Sequence, residues 1–361
     1  MCEVRGQRSE DRGQRTEVRS QRSEVRGQKQ TDNEQPATNN PRQTMNILMI
    51  TENDPAGMGI AFTNAINRYT DDRCRLITTT TRYNFDFEKD IHIPDLSSDG
   101  FDLVRQLLKG SDIIHFHILA DENIRLGPLQ VKDYIKGKAI LHHHHGHPDF
   151  RANPEKYREK YRRLKRRAIV STPDLLRLMP EASWQPNIVP IDTPFYLPTS
   201  GRENGGQLRI CHSPTRKELK NTEEFLRVIA ELKRGSCQAQ AVIVENTSHK
   251  ECLRIKQGCP IHFDHMQGYF GVSSLEGLSQ GKAVIAGLDD WNIRHIREYF
   301  RCERLPWIVA KSECEMKERL QDLVDDREMT MQAGKESRRF MEEYWSPKAV
   351  LAGLTALYRR L

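Results

Sequence analysis

The sequence predicts an α/β protein in which two doubly wound parallel sheets form separate domains that face each other across a cleft. From residue 46 onward, short apolar runs alternate with amphipathic helical stretches, and strands separated by helices form parallel sheets covered on both faces. This alternation stops at residues 193–207, a segment rich in proline and glycine, and then restarts. The chain has 361 residues, which suffices for two domains with cores of their own.

The first half supplies the N-terminal domain, residues 45–192. Its strands are expected at 46–51, 74–79, 112–116, 138–142 and 168–171, and its helices at 59–69, 99–109 and 154–167. The strands are short and almost entirely apolar, which is typical of strands buried on both faces of a sheet. Residues 193–207 then form the interdomain linker.

The second half supplies the C-terminal domain, residues 208–345, and a final helix, 346–361. Its strands are expected at 208–212, 240–245, 260–264, 282–286 and, more weakly, 307–309. Its helices are expected at 218–233, 248–257, 271–280, 311–325 and 327–344. The final helix carries an apolar stripe that must pack on another surface.

Residues 4–31 consist of four copies of a seven-residue unit, VRGQRSE, DRGQRTE, VRSQRSE and VRGQKQT. A coiled coil needs two apolar seam positions in each heptad, and these copies offer at most one. We therefore expect residues 1–44 to be a disordered tail outside the native fold, with the natural start at Met45. An arginine-rich nucleic-acid arm is the alternative, but Glu and Asp nearly balance the Arg.

Composition excludes several classes of protein. No run of about 18 apolar residues is present, so no membrane span is predicted, and the start has no apolar core of a secretory signal. The eight cysteines form no C-x-x-C pair, which indicates reduced thiols in a cytosol rather than a disulfide framework. We therefore predict a cytoplasmic protein.

The net charge of +6 is modest, but residues 151–167 contain nine basic residues and two acidic ones. With Tyr157, Tyr161 and Leu164 at helical spacing, this stretch is either a solvated helix face or a docking site for the anionic inner face of a membrane. No aromatic residues interleave with a basic strand surface, so no nucleic-acid partner is predicted.

The most informative segment is 271–286. It predicts a helix that opens on Gly271, carries Glu276 in its middle turn, ends at Gly281 and leads into a buried strand. An acid beside the carboxyl edge of a parallel sheet is well placed to bind a ribose. Arg216 and Lys220, at an earlier strand-to-helix turn, suit a diphosphate. The alternative for Glu276 is an acid on the protein surface, and the alternative for Arg216 and Lys220 is a pair of solvated cations on a helix. Together these residues predict a nucleotide-sugar site.

A run of histidines, His142–His145, is followed by His147. Metal ligands must converge on one point, whereas consecutive strand residues alternate faces, and no Cys or acid cluster accompanies the run, so no metal site is predicted. We expect His145 to reach into the cleft, and His115 and His117 either to pack at a strand end or to contact an acceptor. The absence of a D-x-D motif predicts a transfer reaction that needs no metal and no cofactor.

Over residues 45–361 these features resemble the retaining glycosyltransferases of the GT-B fold, specifically glycosyltransferase family 4. The matching parts occur in the order of the family. In the first half they are a glycine-bearing loop with Gly57 and Gly59, a D-x-x-H-x-H strand end at 112–117, and His145–Gly146. In the second half they are the basic pair Arg216 and Lys220, Glu276 as the second acid of an E-x7-E motif, a G-x-P-V-I-like segment at 281–285, and a terminal helix that crosses back to the first domain.

One position departs from the pattern. Gly268 stands where the first acid of the E-x7-E motif would lie, eight residues before Glu276. In the family that acid helps to hold the donor sugar. With glycine in place of that acid, either the backbone of residues 267–271 binds the donor sugar or the activity is weaker.

The resemblance implies a hexosyltransferase-like enzyme of cell envelope polysaccharide synthesis. It would move a sugar from a UDP- or GDP-sugar to a glycan, a lipid-linked sugar or a small molecule, with retention of anomeric configuration, its acceptor on the N-terminal domain and its donor on the C-terminal domain. The implied catalytic residues are His145, Arg216 and Lys220. The implied donor-binding residues are Gly57, Gly59, Arg216, Lys220, Gly268, Tyr269, Phe270, Gly271 and Glu276, and the acceptor-binding residues are His117, His145 and His147.

Three other functions remain open. A catalytically silent GT-B module that binds a glycan or scaffolds an assembly is favoured by Gly268. A nucleotide-sugar 2-epimerase shares the fold but resembles the chain less well. A histidine-rich metal-binding protein is the third.

Overall fold

The computed structural model describes residues 43–82, 87–199, 207–234 and 239–361. Residues 1–42 of the predicted tail 1–44 lie outside the described residues. Residues 200–206 of the predicted linker also lie outside them. Within the described ranges, no helix is both long enough and apolar enough to span a bilayer.

The N-terminal lobe is built on a seven-stranded parallel sheet in the order β3-β2-β1-β4-β7-β8-β9. A hairpin of two antiparallel strands, β5 and β6, each two residues long, lies outside this sheet. The elements of the lobe are β1 (Asn46–Thr51), α1 (Met58–Tyr69), β2 (Arg73–Thr78), β3 (Ile91–His92), α2 (Ser98–Gly110), β4 (Ile113–His117), β5 (Arg125–Leu126), β6 (Leu129–Gln130), β7 (Ala139–His144), α3 (Pro148–Ala152), α4 (Pro154–Leu164), β8 (Arg167–Val170) and β9 (Ser183–Trp184).

The C-terminal lobe is built on a five-stranded parallel sheet in the order β11-β10-β12-β13-β14. Its elements are β10 (Leu208–His212), α5 (Thr222–Arg234), β11 (Ala239–Ile243), α6 (His249–Gln257), β12 (Ile261–Phe263), α7 (Val272–Ser279), β13 (Ala283–Ala286), α8 (Asp290–Phe300), β14 (Ile308–Val309), α9 (Glu313–Asp325), α10 (Arg327–Glu343) and α11 (Pro347–Tyr358). The predicted pair of doubly wound sheets is confirmed.

The central strands are buried throughout, as their composition predicts. Every residue of β4 and of β13 is buried, because helices cover both faces of each sheet. Side chains of successive strand residues point to opposite faces, so these strands supply the core on both sides. This leaves the loops after the carboxyl ends of the strands to line the space between the lobes.

The final helix, α11, returns to the N-terminal lobe as predicted. Pro347 opens it, and the Ser346 side chain accepts a hydrogen bond from the Ala349 amide. Its apolar stripe is buried, and the Tyr358 hydroxyl lies 2.7 Å from Nδ1 of His115 on β4. Just before the helix, Trp345 is fully buried and donates from Nε1 to the Asn187 carbonyl oxygen at 2.9 Å. The helix thus joins the two lobes covalently and by packing.

Two predicted helices have different boundaries in the structure. The helix predicted at 154–167 ends at Leu164, because Lys165 has a φ of 51° and β8 begins at Arg167. The helix predicted at 218–233 begins only at Thr222, because residues 217–219 form a separate 3₁₀ turn and Asn221 has a φ of 54°. Left-handed residues of this kind end a helix and carry no signal in hydrophobic periodicity.

Several elements were not predicted. Four of them are strands of two residues, too few to show alternation of apolar and polar residues: β3, β5, β6 and β9. Strand β14 is equally short but coincides with a predicted strand. Helix α8 was missed although Asp289 caps it by accepting from the Asn292 amide at 2.8 Å. An aspartate before an amphipathic run is a start signal that sequence reasoning could have used.

Candidate active site

Two adjoining cavities lie between the lobes. The large cavity, about 720 Å³, is lined mainly by the C-terminal lobe and includes Glu276. The small cavity, about 260 Å³, brings His117, His145 and His147 of the N-terminal lobe to Tyr269 of the C-terminal lobe. Pro55, Ala56 and Val272 line both cavities. A cleft at the carboxyl ends of two parallel sheets is where α/β proteins usually bind ligands.

Glu276 lies in the middle of α7 and is only 5% exposed. Its carboxylate accepts hydrogen bonds from Lys256 Nζ at 2.5 Å and from His249 Nε2 at 2.8 Å, both on the neighbouring helix α6. Burial alone raises the pKa of Glu276, but the Lys256 charge and the two hydrogen bonds outweigh burial and lower the pKa to about 2. The carboxylate is therefore charged and fixed in orientation at neutral pH.

Lys256 is 1% exposed and also donates to Ser273 Oγ at 2.7 Å. Burial disfavours its charge, but the adjacent Glu276 raises the pKa of Lys256 above its ordinary value. Sequence analysis missed both Lys256 and His249, because the contact between α6 and α7 is not visible in the chain order.

The wall opposite Glu276 follows β10. Ser213 Oγ lies 2.9 Å from Ser273 Oγ, and Thr215 and Lys217 line the large cavity beside them. Lys217 pairs with Glu245 at 2.8 Å while remaining half-exposed. Hydroxyls and a cation at a strand-to-helix turn can bind phosphate oxygens.

The structure does not bring the predicted cations Arg216 and Lys220 together with Glu276. Arg216 is exposed and lines neither cavity, and Lys220 also lines neither. Lys220 instead pairs with the buried carboxylate of Asp264 at 3.4 Å. A 3₁₀ turn at 217–219 replaces the first turn of the predicted helix, and Lys217 in this turn lines the large cavity.

Asp264 occupies the N-terminus of α7. Its carboxylate accepts from the Gly271 amide at 2.6 Å and from Ser274 Oγ at 2.8 Å. Burial raises the pKa of Asp264, but His265, Lys220 and these hydrogen bonds outweigh burial and lower it well below its ordinary value. An internal carboxylate thus satisfies the N-terminus of this helix.

Asp54 fills the corresponding place at α1. Its two carboxylate oxygens accept from the amides of Gly59 and Ile60, each at 3.0 Å. The amides of the predicted glycine loop therefore bind an internal anion, and the predicted donor contact at Gly59 is already occupied. Burial raises the pKa of Asp54 against the opposing effect of these backbone hydrogen bonds.

Gly57 serves a different purpose from the one predicted. Its φ is 65°, and a Cβ there would lie 2.2 Å from the ring of Phe87. That ring stacks on His249 of the C-terminal lobe, with ring centroids 4.3 Å apart and planes at 18°. Gly57 thus permits an aromatic contact that joins the lobes beside the large cavity.

The segment 267–271 explains the glycine that departs from the family pattern. Gly268 has a φ of 87°, a conformation that strains any L side chain, and its carbonyl oxygen accepts from the Asp289 amide at 2.8 Å. Tyr269, Phe270 and Gly271 line the small cavity, although Phe270 is 1% exposed and packs on Trp307 and Trp345. The backbone conformation, rather than a lost carboxylate alone, accounts for glycine at this position.

The predicted histidines do meet in the small cavity. His117 Nδ1 lies 3.1 Å from His145 Nε2. Burial lowers the pKa of His145 to about 4, so this imidazole is neutral at pH 7 and can bond a sugar hydroxyl. His147 Nδ1 accepts from the Asp149 amide at 3.2 Å and so also caps α3.

Arg151 is a cleft residue that sequence analysis placed in the basic stretch instead. Its guanidinium lies over the Tyr269 ring at 4.7 Å and pairs with Asp174 at 2.7 Å. Gly146, with a φ of 75°, makes room for it, since a Cβ would lie 2.9 Å from Arg151 Nη2. Arg151 thus brings a cation of the N-terminal lobe against the C-terminal lobe.

Most of the basic stretch 151–167 is neutralised within the lobe. Five of its basic residues form ion pairs: Arg151, Lys156, Arg158, Lys160 and Arg166. Tyr157 and Tyr161 are buried beneath α4. Four exposed cations remain, with no ion pair to another described residue: Arg162, Arg163, Lys165 and Arg167.

No protein-family model matches the chain, and no curated protein matches it. Solved structures do match, and the three described here match over nearly their whole length. Anabaena Alr3699/HepE, solved with UDP and glucose, superposes with a TM-score of 0.60 at 11% identity, covering 88% of this chain and 100% of that one. An α-glucosyltransferase solved with UDP and DNA gives a TM-score of 0.61 at 10% identity, covering 88% of this chain and 99% of that one. The fold is GT-B. The sucrose-phosphate synthase of Thermosynechococcus elongatus also matches this GT-B chain, with a TM-score of 0.55 at 14% identity, covering 87% of this chain and 98% of that one.

Proposed function

We propose that this GT-B protein is a glycosyltransferase that moves a sugar from a nucleoside diphosphate sugar to an acceptor. The observation that carries the proposal is Glu276, a charged and immobilised carboxylate in the wall of a 720 Å³ cavity between the lobes. A carboxylate of this kind accepts hydrogen bonds from the two hydroxyls of a ribose. Two of the structural neighbours, Alr3699/HepE and the α-glucosyltransferase, are complexes with UDP.

In this proposal the large cavity takes the nucleoside diphosphate. Ribose hydroxyls donate to Glu276, and the diphosphate lies toward Ser213, Thr215 and Lys217. As the bond from the anomeric carbon to the diphosphate breaks, negative charge develops on the leaving phosphate, and a cation with two hydroxyl donors stabilises it. The charged pair of Lys256 and Glu276 keeps the ribose contact fixed during this step.

The sugar then extends into the small cavity. His145 is neutral and can bond a sugar hydroxyl, while Arg151 and Tyr269 close the cavity from the two lobes. We propose that the acceptor hydroxyl enters beside His117 and His147, that it attacks with retention of configuration as in family 4, and that no metal bridges the diphosphate. A glycan or lipid-linked acceptor, a role in envelope polysaccharide synthesis and a cytoplasmic site of action complete the proposal.

The test is release of nucleoside diphosphate from a panel of UDP- and GDP-sugars by the full chain without added acceptor. We expect this protein to hydrolyse one of the donors slowly, and the rate of hydrolysis should fall in a Glu276→Gln variant. Binding of a donor without release would instead support the silent module. If no sugar nucleotide binds or is hydrolysed, the proposal is wrong.

We also propose weak contact with an anionic membrane through the exposed cations Arg162, Arg163, Lys165 and Arg167. Each cation near such a surface contributes about 1 kcal/mol, so removing all four by glutamine substitution should abolish sedimentation with phosphatidylserine vesicles at low salt. Neutral phosphatidylcholine vesicles are the control. Equal sedimentation with both vesicle types, or with neither, would leave the stretch as a solvated face.

A further inference from the structure

Three buried histidines of the N-terminal lobe, His115, His117 and His143, lie together at the floor of the small cavity. Strands β4 and β7 are neighbours, and their parallel register sets His117 directly beside His143, with His115 two residues earlier on the same face. All three side chains are at most 2% exposed. Histidines that alternate along two paired strands therefore converge, which reasoning along a single strand could not reveal.

The three imidazoles are arranged as ligands. One nitrogen of each lies within 4.8 Å of the corresponding nitrogens of the other two. Tetrahedral coordination at a bond length of about 2.0–2.1 Å needs nitrogens about 3.4 Å apart. Metal binding therefore requires the rings to turn, because those of His115 and His143 are stacked with their planes at 13°. No carboxylate is part of the group, so it suits a borderline transition-metal ion such as zinc rather than magnesium or calcium.

The hydrogen bonds leave the right atoms available. His115 uses Nδ1 to meet the Tyr358 hydroxyl at 2.7 Å, and His117 uses Nδ1 to meet His145 at 3.1 Å. Among the described residues, His115 Nε2, His117 Nε2 and both nitrogens of His143 have no hydrogen-bond partner although they are buried. A metal-bound histidine typically uses its other ring nitrogen in this way, to fix the ring for the metal.

We propose that His115, His117 and His143 form a binding site for one divalent transition-metal ion of the zinc type. The ion lies away from the large cavity and does not bridge the donor diphosphate. Its role is to hold His117, and through the hydrogen bond to it His145, in a fixed orientation at the floor of the small cavity.

The test is equilibrium dialysis of the chelator-stripped full chain against buffered zinc, with magnesium and calcium as comparison ions. We expect one tightly bound zinc per chain. His143→Gln and His115→Gln should weaken binding by more than the roughly 10–100-fold that loss of an outer-shell partner costs, because each removes one of three ligands. The matched control is His142→Gln, since His142 is adjacent and equally buried but stacks on Phe116 and Tyr161 on the opposite face. His142→Gln should keep wild-type affinity.

A second measurement needs no variant. Cobalt(II) added to the stripped wild-type chain should give the visible absorption of a tetrahedral, nitrogen-ligated ion, and zinc should displace it. The proposal is overturned if the wild-type chain retains no zinc and gives no such band. It is equally overturned if both ligand variants bind as tightly as the wild type, or if His142→Gln loses as much affinity as His143→Gln.

Discussion

Replacing Glu276 with glutamine is expected to remove most of the stabilisation that a donor nucleotide gives to this protein. Glutamine keeps the size of the side chain but loses the charge that strengthens two ribose hydrogen bonds, each worth about 1.5–3 kcal/mol. A loss of about 3 kcal/mol in total weakens binding by about 100-fold. At a concentration one hundred times the wild-type Kd, the ligand stabilises the wild type by about 2.7 kcal/mol but the variant by only about 0.4 kcal/mol.

The measurement is thermal unfolding with and without the donor selected from the sugar-nucleotide panel. Glu251→Gln is the matched control, because Glu251 is a partly exposed acid on α6 that pairs with Arg254 outside the cavities. The control should respond to the donor as the wild type does. If Glu276→Gln responds equally well, the ribose assignment is wrong.

Replacing Lys256 with methionine is expected to destabilise the protein by about 3–5 kcal/mol. Lys256 is the fully buried partner of Glu276, and its removal leaves a buried carboxylate with a hydrogen bond from His249 but no opposing charge beside it. The double variant Lys256→Met, Glu276→Gln should recover most of the loss, because it leaves no buried charge. Urea unfolding followed by tryptophan fluorescence and by circular dichroism measures both.

Lys250→Met, an exposed position on the same helix, is the control and should change stability by less than about 0.5 kcal/mol. A Lys256 variant as stable as this control, or a double variant no more stable than Lys256→Met alone, would contradict the account of this ion pair.

The same pair makes stability depend on acid. The folded-state pKa of Glu276 is about 2 against an ordinary value of 4.5, so its contribution is complete above about pH 4.5 and disappears as the pH falls toward 2. A shift of this size corresponds to about 3 kcal/mol. Between these pH values Glu276→Gln should lose less stability than the wild type.

The alternation of strands and helices was readable from the sequence, and so was the position of Glu276. Strands β1 and β10 have their predicted boundaries, because apolar residues that become buried predominate in both. The place of Glu276 on a helix beside the sheet edge follows from the segment that contains it. Such features depend on local sequence alone.

The partners of these residues were not readable. Lys256 and His249 reach Glu276 because α6 packs on α7, and His143 reaches His115 and His117 only through the register of β4 and β7. Asp54 and Asp264 had no apparent role until the structure showed them at two helix termini. Contacts between separate elements depend on packing, which the local sequence does not encode.

The predicted diphosphate contacts of Arg216 and Lys220 stay predictions, but the helix near them begins later than predicted. A helix predicted from 218 would put Lys220 in its first turn, with Arg216 two residues before it, but the 3₁₀ turn and the left-handed Asn221 delay the helix to Thr222. Of Arg216, Lys217 and Lys220, Lys217 is the one that lines the large cavity. A difference of a few residues at a helix start thus changes which side chain meets the ligand.

A crystal structure of the full chain with the nucleoside diphosphate of its preferred donor tests the central claim most directly. We predict the nucleotide in the large cavity, with its ribose hydroxyls within hydrogen-bond distance of the Glu276 carboxylate and its diphosphate beside Ser213, Thr215 and Lys217. A nucleotide bound away from Glu276, or an empty cavity in crystals soaked at saturating concentration, would contradict it.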